Sequence, residues 1–201
     1  MNIIENDVYV AYQGSSDVYI AMDEYSIAQI SSGFLVESNN TVFGTNGFQQ
    51  KALLKTDFQW KMQELKVTID SVGLAMYASV NDGKLYLQQN KKDASFEKII
   101  DLQHDNFFFM YSGALVIPMV WLRGFDFCNY EKVTCQMIPM GFAEIKQLSE
   151  DIVSSKLSRD FSLLMYMQNF TDIIKIQTDI SGKLISLHSE VNKITVKIKS
   201  M

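Results

Sequence analysis

Apolar and polar residues alternate with a period of two along most of this chain. In "DVYIAMDEYSIAQI", Val18, Ile20, Met22, Ala28 and Ile30 share one side, and Tyr19, Ala21, Asp23, Tyr25 and Ile27 share the other. Successive side chains of an extended chain point to opposite faces, so this pattern predicts a long, half-wetted strand. Leu65, Val67 and Ile69 alternate with Lys66 and Thr68, and Leu74, Met76, Ala78 and Val80 fall together. Ile194, Val196 and Ile198 alternate with Lys193, Thr195, Lys197 and Lys199, and Val8, Val10 and Tyr12 begin the same rhythm near the N-terminus.

Turn signals punctuate these runs at Gln13-Gly14, Ser32-Gly33, Asn39-Asn40, Asn46-Gly47, Asp82-Gly83 and Ser181-Gly182. Gly and Asn supply the left-handed backbone that tight hairpins need. Strands separated by such turns, without intervening amphipathic helices, predict an antiparallel meander and not βαβ units. Two stretches break the rhythm. "AEIKQLSEDIVSSKL" fits either a helix or a strand, loop and strand. The run from Asn106 to Leu122 carries no charge and no clear period; it suits a short helix followed by a strand.

Composition agrees with one β-rich domain over residues 1–201. Apolar residues make up 47% and charged residues 20% of the 201, enough to bury a core. Only Pro118 and Pro139 are prolines, so no Pro-rich linker divides the chain. The net charge of −5 is uneven: residues 1–50 contain no Lys or Arg, and the one basic cluster is the tail "KITVKIKS". Nucleic-acid binding, which needs a basic surface, is not expected. Ser112, Gly113 and Pro118 interrupt the uncharged run and Arg123 closes it, so it is not expected to span a membrane. The start "MNIIENDVYV" has no basic region followed by an apolar one. The expectation is therefore either a cytoplasmic protein or a mature segment whose leader was removed before Met1.

The uncharged run is the best lead to function. A continuous apolar segment in an alternating sheet protein is buried on all sides. One reading makes it core, crossing the concave face of a curved sheet, where each buried Phe or Met stabilises by about 1.5–3 kcal/mol. The other makes it the lining of an apolar cavity for a lipid or similar small molecule. In that second reading Phe107, Phe108, Phe109, Met110, Met119 and Trp121 form the apolar wall, and Tyr111 and Arg123 stand at a polar rim. The Arg123 fork suits a phosphate or carboxylate, although a pair with Asp126 or another acid explains it as well. A structural or protein-interaction domain without ligand is the alternative.

Nothing in the sequence calls for catalysis, a metal or a cofactor. His104 and His188 are the only histidines, and His104 beside Asp105 is no catalytic pair, because neighbours on a strand point apart. Nucleophile-elbow, P-loop and dinucleotide-binding patterns do not occur. Cys128 and Cys135 in "CNYEKVTC" fit a hairpin whose sulfurs either bridge or stay as small buried thiols. No enzyme is expected.

Taken in order, "DVYVAYQG", a long meander, the segment "FFFMYSGALVIPMVWLR" and the late hairpin "DISGKLISLHSE" resemble uncharacterised bacterial cell-envelope proteins with a curved, half-closed antiparallel sheet. Their shape is similar to that of lipoprotein carriers and glycolipid-binding half-barrels. The resemblance implies an apolar-ligand role and an envelope location.

Overall fold

The computed structural model describes residues 2–15, 18–92, 94–102, 107–111, 120, 123, 132–140, 151–157, 162–167, 173–179, 181–190 and 193–199, with the strands between 107 and 176 described by their path and pairing. The N-terminal half is a meander of β1 (Asn2–Gln13), β2 (Tyr19–Ile30), β3 (Gly33–Val42), β4 (Phe48–Thr56), β5 (Met62–Ile69), β6 (Leu74–Asn81), β7 (Lys84–Lys91) and β8 (Ala94–Asp101). The C-terminal half is β9 (Phe107–Tyr111), β10 (Lys132–Met140), β11 (Asp151–Leu157), β12 (Ser162–Met167), β13 (Ile173–Thr178), β14 (Leu184–Ser189) and β15 (Ile194–Ile198).

All of these strands form one sheet in the order β8-β7-β6-β5-β4-β3-β2-β1-β15-β14-β13-β12-β11-β10-β9. Every neighbouring pair is antiparallel except β9 and β10, which run parallel. The two halves join where β1 pairs with β15, with Tyr9 opposite Ile198 and Ala11 opposite Val196. The fold is therefore mainly β and antiparallel, as the alternation predicts.

The order also forces curvature. Strands β8 and β9 are the opposite edges, yet only residues 102–106 separate them in sequence. Fourteen inter-strand spacings of about 4.8 Å would put the edges of a flat sheet about 67 Å apart. A chain of that length reaches about 22 Å at most. The sheet must curl until its edges approach, leaving an open barrel with a seam between β8 and β9. Register shifts in the β1–β2, β4–β5 and β13–β14 ladders add local twist and bending.

Alternation decides which side chains enter the curl. Ile27, Val36, Leu54, Leu65, Val67, Ile69, Ala78 and Leu85 are almost fully buried and belong to one core cluster. Val120 joins the same cluster and, like Arg123, has helical geometry. The uncharged run thus reaches the concave side. Its order is the reverse of the expected helix then strand: Phe107–Tyr111 enters the sheet as edge strand β9, and the helical residues follow.

One local expectation changes. Asn39-Asn40 is no turn but the middle of β3, because no glycine breaks the pleat there and β3 pairs on both sides through it. Within "AEIKQLSEDIVSSKL", Asp151–Leu157 is strand β11. The hairpin expected over "CNYEKVTC" falls partly outside the described residues, which do not include Cys128, and Cys135 is placed on strand β10.

The core assignment predicts unequal costs on the two faces. Leu65 is 0% exposed and Ile99 is 60% exposed. Leu65→Ala should lower unfolding free energy by about 3 kcal/mol through lost burial and a cavity, and Ile99→Ala by less than about 0.5 kcal/mol, as read by denaturant titration.

Candidate functional site

The concave face has two chemistries. Across β5–β8 its buried side chains are apolar apart from Gln89, whose amide lies 3.7 Å from the Met76 sulfur. Across β1–β4 polar groups interrupt it. Asp23, Ser38, Asn40, Gln50 and Thr56 are buried there, along with Tyr9 and Tyr25.

Strand pairing builds this polar region from residues distant in sequence. Tyr9 lies opposite Asp23, Asp23 opposite Asn40, and Asn40 opposite Gln50, so one row crosses four strands. Directly opposed residues on one face lie about 5 Å apart at their Cβ atoms, so Asp23, Asn40 and Gln50 are immediate neighbours. The next row carries Tyr25 opposite Ser38. Ser38 donates its hydroxyl to Asp23 Oδ1 at 2.5 Å. Asn40 and Gln50 are 1% and 2% exposed, and neither amide group has a hydrogen-bond partner.

Beside this row, at the end where β1 starts, lies a charge cluster. Arg123 donates to Glu5 Oε1 at 2.7 Å, and Tyr25 donates its hydroxyl to the same oxygen at 2.6 Å. Lys183 bonds Asp7 Oδ2 at 2.8 Å and lies 4.0 Å from Glu5. Two acids and two bases balance. The Arg123 side chain is 7% exposed and its guanidinium sits 5.1 Å from the centre of the Trp60 ring, which stacks on Phe34. Tyr9 and Tyr25 stack 5.0 Å apart, and the Tyr9 hydroxyl donates to the Leu184 carbonyl.

Two loops at this end hold the cluster in the same way. Asp57 Oδ1 accepts the backbone N–H of Gln59 and Lys61, and Asp179 Oδ1 accepts those of Ser181 and Lys183. The first loop presents Trp60, whose φ of 64° is unusual for a bulky residue and persists because its neighbours fix it. The second presents Gly182, at φ 80°, where a Cβ would lie 3.0 Å from the Arg123 Cα. Only glycine lets that turn approach Arg123 so closely.

These surroundings set the ionisation of the cluster. Burial works to raise the Glu5 carboxyl, but the hydrogen bonds from Arg123 and Tyr25 and the charges of Arg123 and Lys183 outweigh it and hold the pKa below the ordinary 4.5. Burial pushes the Tyr9 hydroxyl up to about 12, and burial together with the Glu5 hydrogen bond raises Tyr25 further. Both phenols remain protonated donors at neutral pH.

Of the residues expected at a ligand site, Arg123 is the one whose side chain is described, and the acid it meets is Glu5. Phe107, Phe108, Phe109, Met110 and Tyr111 are placed on β9, with their side chains outside the described residues. Met119, Trp121, Asp126 and His104 lie outside them altogether. His188 Nδ1 lies 2.9 Å from the Thr195 hydroxyl on the neighbouring strand. Among the described residues there is no cluster of three or more potential metal ligands, and no helix long and apolar enough to cross a membrane. The polar row is hidden in the sequence because Asn40 looks like a turn residue and Gln50 like a surface one; alternation places only Asp23, on the face of Tyr25 and Ile27.

The Glu5 cluster predicts a pH signature. A lowered folded-state pKa means that its stabilisation is complete above pH 4.5 and is lost as pH falls through the folded value. Glu5→Gln leaves Arg123 without its carboxylate and should cost about 3 kcal/mol at pH 7. That gap from the wild type should narrow below pH 4.5 in denaturant titrations at stepped pH; a constant gap would show that Glu5 does not act through its charge.

No family model and no curated protein sequence matches the chain. Solved structures do. A β-barrel-like protein of the domain of unknown function DUF1849 from Brucella abortus superposes with a TM-score of 0.58 at 10% identity, over 97% of this chain and 95% of that one. A DUF1089 family protein from Pseudomonas aeruginosa superposes with a TM-score of 0.54 at 9% identity, over 87% and 90% of the two chains. At these identities the likeness is one of fold: this chain has the architecture of uncharacterised bacterial β-barrel-like proteins.

Proposed function

We propose that the protein binds a lipid or other apolar molecule of amphipathic character on the concave side of its curled sheet, without catalysing a reaction. The observation that carries this reading is the division of the concave face. Leu65, Val67, Leu74, Met76 and Leu87 offer an apolar wall on one flank, and Asp23, Asn40 and Gln50 offer polar groups on the other. A ligand with a hydrocarbon part and a polar part matches both flanks at once, which a uniformly greasy interior would not favour. The Phe-rich strand β9 borders the open seam, where an apolar chain would have access.

A second reading is a domain that meets another protein and carries no ligand. In its favour, Tyr77, Tyr86 and Ile99 are exposed side by side near edge strand β8 and border a shallow concavity of about 260 Å³ on the outer face.

Native mass spectrometry of protein purified without detergent separates the two. The ligand reading expects a bound mass that organic extraction releases and identifies as a lipid. Protein that carries nothing and takes up no fluorescent fatty acyl probe would end that reading.

A further inference from the structure

We infer that Asn40 and Gln50, beside Asp23, form a subsite for an uncharged head group that both donates and accepts hydrogen bonds, such as a hydroxyl or an amide. This rests on the lipid-binding reading above and specifies its polar end. Asn40 and Gln50 are almost fully buried, adjacent across β3 and β4, and unbonded at all four amide atoms. A buried amide without partners is destabilising, and folded proteins rarely keep one, let alone two in contact. Their burial and their place in line with Asp23 put the pair on the concave face of the sheet.

The donor and acceptor inventory selects the ligand class. Each amide presents an NH2 and a carbonyl oxygen, and neither carries charge. A hydroxyl or amide satisfies both kinds of group. A carboxylate or fully ionised phosphate only accepts, so it would leave Asn40 Oδ1 and Gln50 Oε1 unbonded beside the Asp23 carboxyl, and it would itself lose its hydration. The nearby cations do not alter this. Arg123 is engaged by Glu5 and stacked over Trp60, and Lys183 bonds Asp7, so the cluster offers an anion no net positive charge.

The test compares two probes with one acyl chain: 1-monooleoylglycerol, whose head is a neutral diol, and oleate, whose head is a carboxylate that can only accept hydrogen bonds. Binding to the full chain is measured by native mass spectrometry and by titration calorimetry. The monoacylglycerol should bind about tenfold tighter or more, because the site discriminates by hydrogen bonds that only it completes. In the Asn40→Leu, Gln50→Leu double variant this preference should disappear, while acyl binding persists and the melting temperature equals or exceeds that of the wild type. Equal or tighter binding of the anionic probe, a preference retained by the variant, or a variant that melts lower would overturn the subsite and leave the lipid reading intact. Failure of both probes to bind would overturn both.

Discussion

The short link between β8 and β9 is the constraint on which the rest of the structure depends. It ties together the two edges of a sheet that would otherwise be far wider than the link can reach. A flat antiparallel sheet has two equivalent faces, and neither is an interior. Once the edges are brought together, one face becomes concave and enclosed, and every residue's parity along its strand acquires a meaning. Tyr9, Asp23 and Asn40 go in; Glu24 and Asn39 go out.

Enclosure then makes polar residues on the inner face energetically consequential, and the two polar groupings respond differently. Glu5, Asp7, Arg123 and Lys183 neutralise one another, and Tyr25 fills a further acceptor site on Glu5. This set is closed, and it joins β1, the turn before β14 and the segment around residue 123, three parts of the chain far apart in sequence. It reinforces the junction of β1 with β15, where the two halves of the sheet meet. Asn40 and Gln50 belong only to the N-terminal meander and have no such compensation. Ordinary stability reasoning would place leucines there.

Much of the architecture was legible because sheet periodicity is local. Alternation in 18–30, 65–69, 74–80 and 194–198 predicts strands that the structure contains, and the glycine turns at 14, 47, 83 and 182 fall where hairpins occur. What was not legible depends on pairing across the sheet. The partnership of Glu5 with Arg123 spans 118 positions, and no local pattern encodes it. Asn39-Asn40 has the composition of a turn, and only the ladders on both sides of β3 reveal a buried amide. The uncharged run has no period because Phe107–Tyr111 belongs to an edge strand whereas Val120 has helical geometry, so no single template fits it.

The same division separates what holds the protein together from what the protein is free to use. Arg123 is fixed from several sides: by the Glu5 carboxylate, by the Trp60 ring and by the close approach of Gly182. Two Asp-capped loops hold Trp60 and Gly182 in place, and Trp60 does so at the cost of a strained backbone angle. A group locked in this way is a poor adaptable receptor and a good structural tie. The amide pair, Asn40 on β3 and Gln50 on β4, lies one row beyond Tyr25 and Ser38 and has its hydrogen bonding unmet within the protein. The ladders on either side keep these groups in register, so their unmet donors and acceptors are held in place by pairing that does not depend on them, which is what the proposed head-group subsite requires.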